Sequence, residues 1–171
     1  MLVPIHDPAL EELRAELAQY PRMDGYYQLD LVSIKILRQA RMTQNEILKA
    51  LYDRWAPHEA NAAYRAAFPF PLIGTPTLEQ RTPEFNDYES TVENALEALT
   101  YELKGGSGIG HLADTISPVK AAELATRFFA LFRSPQAYRG LGLADPFFVF
   151  EQGVVLLDDE RAACLLMIES D

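Results

Sequence analysis

Apolar side chains recur at intervals of three and four along much of this chain, so its pattern predicts helices before anything else. The clearest stripe runs from Pro83 to Lys104, where Phe85, Tyr88, Val92, Leu96, Leu99 and Leu103 fall on one side of a helix expected over residues 87–103. Ser90 and Glu93 form an alternative capping box inside that span, which would start the helix later. Leu10, Leu13 and Leu17 give a shorter stripe in "PALEELRAELAQY", with Asp7 at the N-cap, Pro8 in the first turn and Pro21 at the stop. Thr43 and Glu46 have capping-box spacing ahead of "ILKALYDRW", and Pro57 opens "PHEANAAYRAAF". Ser117-Pro118 opens the last clear helix, "VKAAELATRFFALFR".

Other segments are less regular. In "YYQLDLVSIKILRQARM", Val32, Ile34 and Ile36 alternate as in a strand, while Leu31, Ile34 and Leu37 fit a helix. The good helix formers in "KILRQA" tip that reading towards helix from about Leu31. "FPFPLIGTPTLEQRTPEF" carries four prolines and reads as an extended loop. Near the C-terminus, Val154–Leu157 and Ala162–Ile168 are short apolar runs on either side of "DDER" and predict a hairpin, with a helix from Asp159 as the competing reading. Together these elements predict one helix-dominated α+β domain over residues 1–171, with about six helices and a small C-terminal antiparallel β-hairpin.

Composition changes this picture little. A chain of 171 residues, 49% hydrophobic and 23% charged, has enough interior to fold unaided. Cys164 is the only cysteine, so an intramolecular disulfide is impossible and zinc sites needing two thiolates are excluded. "MLVPIHDPALEEL" lacks a basic stretch followed by an apolar core, and no apolar run approaches the ~20 residues of a membrane span. The expectation is a cytoplasmic protein without a signal peptide or a membrane contact.

Charge is more informative. The net charge is −10, and nearly all of it falls in two places. Residues 84–104 carry six acids against Lys104, and residues 145–171 carry seven against Arg161. Such a field repels phosphate backbones, so nucleic acid is an improbable partner.

The motifs that could carry chemistry are weak. In "ELKGGSGIGHLAD" the glycines match neither G-x-G-x-x-G nor a P-loop, and Lys104 precedes them instead of following. A helix comes before this stretch and another after it, so Gly105 or Gly106 reads as a helix stop with positive φ. His6, His58 and His111 form no metal-ligand spacing. Ser107, His111 and Asp114 contain the groups of a hydrolase or transferase site, but adjacency in sequence says nothing about triad geometry. No catalytic residue, metal or cofactor is therefore assigned. Residues 42–68 have the length of a helix-turn-helix, yet the would-be recognition helix sets His58, Asn61 and Arg65 beside Glu59.

What remains is a binding reading. Glu89, Glu93 and Glu97 form a row at i, i+4 spacing, with no lysine or arginine following at i+3 or i+4. Such like-charge pairs cost about 0.2–0.5 kcal/mol each in an isolated helix, which a packed helix absorbs. A solvated face is the plain account of the row. The functional account is a set of carboxylates presented to a basic protein partner, with Asp158, Asp159 and Glu160 adding to the same field. By charge and size, the expected function is that of a non-enzymatic inhibitor, as immunity proteins and antitoxins are. The alternatives are a small enzyme using the His111 loop and, behind it, a DNA-binding helical domain.

Overall fold

The computed structural model describes residues 2–22, 25–55, 88–105, 116–139 and 149–170. Among these residues a six-stranded antiparallel sheet with five helices takes the place of the expected small C-terminal hairpin with about six helices. Its strands are β1 (Val3–Pro4), β2 (Gly25–Ser33), β3 (Glu89–Ser90), β4 (Gln136–Tyr138), β5 (Val149–Leu157) and β6 (Arg161–Ser170), in the order β1-β2-β6-β5-β4-β3. The C-terminal hairpin does form, as β5 and β6, but it is the middle of the sheet. Five helices among the described residues cover the two faces: α1 (Pro8–Leu17), α2 (Lys35–Gln39), α3 (Gln44–Trp55), α4 (Val92–Leu103) and α5 (Pro118–Phe129).

The core explains why a sheet forms where the sequence pattern is ambiguous. On one face Leu29, Leu31, Ala137, Val154, Leu156, Ala163, Leu165 and Met167 pack against α1, α4 and α5. On the other, Val32, Tyr138, Val155, Leu157, Ala162, Cys164 and Leu166 pack against Leu37 of α2 and Ile47, Leu48, Leu51 and Trp55 of α3. A strand buried on both faces loses its polar alternation and reads as an unbroken apolar run. Val154–Leu157 and Ala162–Met167 are buried at every position. Residues 31–33 also belong to a strand, not to the expected helix. Leu31 faces one core and Val32 the other, and helix begins only at Lys35.

Gly153 allows the central hairpin to close tightly. Its φ is +140°, and a Cβ there would lie 2.2 Å from the Leu165 carbonyl oxygen, so only glycine fits. Helix starts follow local chemistry. The Asp7 carboxylate accepts from the Ala9 amide at 2.8 Å, and the Ser117 hydroxyl accepts from Lys120 N–H at 3.2 Å. Thr43 and Glu46 complete both halves of a capping box, at 3.2 and 2.7 Å. Gly105, at φ +122°, follows the last turn of α4 and donates its N–H to the Glu102 carbonyl, so it is the helix stop that the glycine run suggested.

Candidate acidic face on α4

Helix α4 begins at Val92, five residues later than the expected start. Thr91 is its N-cap: the backbone there is extended, and the hydroxyl accepts from the Asn94 amide at 3.1 Å. The competing Ser90 cap does not form; that hydroxyl donates to the Thr91 carbonyl. Glu89 consequently lies in β3, paired with Tyr138, and not on the helix. The row of three glutamates on one helix is thereby corrected to two, Glu93 and Glu97, with Glu89 on the adjoining edge strand.

The buried stripe of α4 is Ala95, Leu99 and Leu103, with Leu96 partly covered. Val92, expected inside, is the first residue of the helix and is 40% exposed. Glu93 and Glu97 are exposed, and Tyr101, one turn further on, is 48% exposed. The Lys104 ammonium sits 5.4 Å from the Tyr101 ring centroid, which ends the acidic row with a cation–π contact. Tyr88 is exposed beside Glu89. Glu93 is favoured by the positive end of its own helix, which accounts for it locally. Glu97 lies mid-helix and has no such support.

Several other carboxylates among the described residues have cationic neighbours, unlike those of α4. The Glu16 carboxylate is held by both Lys120 and Arg127, and Glu123 lies 3.2 Å from Lys120. Hydrogen bonding from Lys120, then from Arg127, holds Glu16 below the ordinary carboxyl value of 4.5. The same bond to Glu16 raises Lys120 above 10.5. Lys49 meets Asp53 at 3.2 Å, and Arg14 meets Glu11 at 2.6 Å. Among the described residues, Glu89, Glu93 and Glu97 have no ion pair.

The acids of the β5–β6 turn behave differently from those of α4. The Asp158 carboxylate accepts from the amides of Glu160 (2.8 Å) and Arg161 (2.7 Å) and lies 3.6 Å from the Arg161 guanidinium, so it builds the turn. Glu160 pairs with Lys35 at 3.2 Å. Of the three turn acids, Asp159 alone has no ion pair among the described residues. Register puts this turn at the same end of the sheet as the start of α4, since Ser90 pairs with Ala137 and Gln136 with Leu157. At a strand spacing of about 4.8 Å, β3 and the turn are about 12 Å apart. That exceeds the Debye length of about 8 Å at physiological salt, and the turn is already largely neutralised. Two of the three turn acids thus have cationic partners, whereas those of α4 have none among the described residues.

Two polar clusters escaped the sequence reading. Asp30, on the α3 side of β2, accepts from the Trp55 indole N–H and from Arg54 Nε, each at 2.8 Å. Gln28 Nε2 donates to the Trp55 carbonyl at 3.3 Å, so β2 holds the C-terminus of α3. The only hint in the sequence was a charged residue between Leu29 and Leu31. The second cluster joins Tyr138, whose hydroxyl is 3.0 Å from Gln44 Nε2, to Gln136, 2.8 Å from the same nitrogen. Burial pushes the Tyr138 phenol up from its ordinary value of 10.0. Cys164 is fully buried beneath α3, and His6 is exposed. His58, Asn61, Arg65, Ser107, His111 and Asp114 lie outside the described residues, and with them the candidate enzyme loop and the second half of the helix-turn-helix.

Among the described residues, no three His, Cys, Asp or Glu side chains converge as metal ligands, and no helix is long and apolar enough to cross a membrane. No protein-family model, curated protein or solved structure matches the chain.

Proposed function

We propose that this chain is a non-enzymatic binding module that uses the outer face of α4 to inhibit or neutralise a basic protein, in the manner of an immunity protein or antitoxin. The observation that carries this reading is that Glu89, Glu93 and Glu97, three acids close together in the chain, have no ion pair among the described residues, whereas Glu11, Glu16, Asp53, Glu123 and Glu160 each have one. Tyr88 and Tyr101 flank these acids with exposed aromatic surface. Tyrosine supplies contact area at low conformational cost, and glutamates at the rim steer a cationic partner and fix its register. Asp158 and Glu160 are left out of the contact, because their carboxylates serve the turn and Lys35.

The test begins with affinity capture of partners from the native host, followed by titration of the captured protein at two salt concentrations. Wild type should bind more weakly as salt rises, and Glu93→Gln/Glu97→Gln should bind more weakly than wild type at low salt. Equal affinities for the two proteins at both salts would remove α4 from the interface and overturn the proposal.

A further inference from the structure

We draw no further inference here: the strongest candidate, the polar corner where Arg38, Gln44, Gln136 and Tyr138 meet beside the β5–β6 turn, has its amide and hydroxyl groups bonded to one another and its guanidinium on the Asp158 carbonyl, and nothing in the structure shows what ligand would cover it.

Discussion

Helices α4 and α5 pack on the same face of the sheet, have twelve residues each and start with a hydroxyl cap, yet they use charge in opposite ways. Lys120 and Arg127 of α5 reach Glu16 on α1, and Glu123 completes the set, so charge there ties one helix to another. On α4 the carboxylates of Glu93 and Glu97 form no ion pair among the described residues. Both helices are anchored by apolar burial, so the spare charge on α4 is not needed to hold it down. A count of acids along the chain cannot separate the two cases. Placement does.

If burial is the common anchor, truncating either stripe should be the most damaging change. Leu99→Ala should cost about 2–5 kcal/mol and Phe128→Ala about 3–5 kcal/mol in denaturant titrations, since both side chains are fully buried. A loss below about 1 kcal/mol in one of them would mean that its helix is held by something else. Beneath both helices, Gly153→Ala should cost about 1–3 kcal/mol or more, because the new methyl meets the Leu165 carbonyl in a left-handed backbone. An unchanged melting temperature would contradict the close approach of β5 to β6.

The ionic contrast itself can be broken by acid. Glu16 has its pKa lowered in the folded state, so its stabilisation is complete above the unfolded value near 4.5 and is lost as pH falls through the lower, folded value. Glu16→Gln should therefore be less stable than wild type at pH 6, and the gap should close as the pH is taken well below 4.5. A gap that stays constant with pH would remove the ionic role of Glu16. The smallest effect is expected on α4. Removing the like-charge pair with Glu93→Gln/Glu97→Gln should leave stability unchanged or raise it by about 0.2–0.5 kcal/mol. A clear loss would show that these carboxylates have a structural duty after all.

The parts of this molecule that were legible in its sequence are those decided within a few residues. Asp7-Pro8, Thr43 with Glu46, Ser117-Pro118 and Gly105 each mark a helix end because cap chemistry is local. Beyond the β5–β6 hairpin the sheet was not legible, for two reasons. Strands β1, β3 and β4 have only two or three residues, too few for any periodicity, and they are strands only through partners distant in sequence. In β2, the two-sided burial of Leu31 and Val32 left a helical reading open. The candidate site suffered from the same cause. Glu89 has helical spacing to Glu93, but pairing with β4 takes it into a strand, and Thr91 starts the helix only afterwards. Asp158 counted as a spare acid in the sequence, whereas two backbone amides claim its carboxylate.

The central claim is that the spare charge on α4 acts locally on a partner, not through the overall charge of −10. The direct measurement is the affinity of the captured partner, at low and at physiological salt, for two double variants of equal net charge. One is Glu93→Gln/Glu97→Gln; the other is Glu12→Gln/Glu123→Gln, at exposed positions on α1 and α5. Exposed ion pairs contribute about 0.2–1 kcal/mol each, so the α4 variant should lose roughly 2- to 30-fold in affinity at low salt. The α1/α5 variant should stay within about twofold of wild type, and the difference between the two should shrink at physiological salt. Equal losses in the two variants, or none in either, would contradict a binding face on α4.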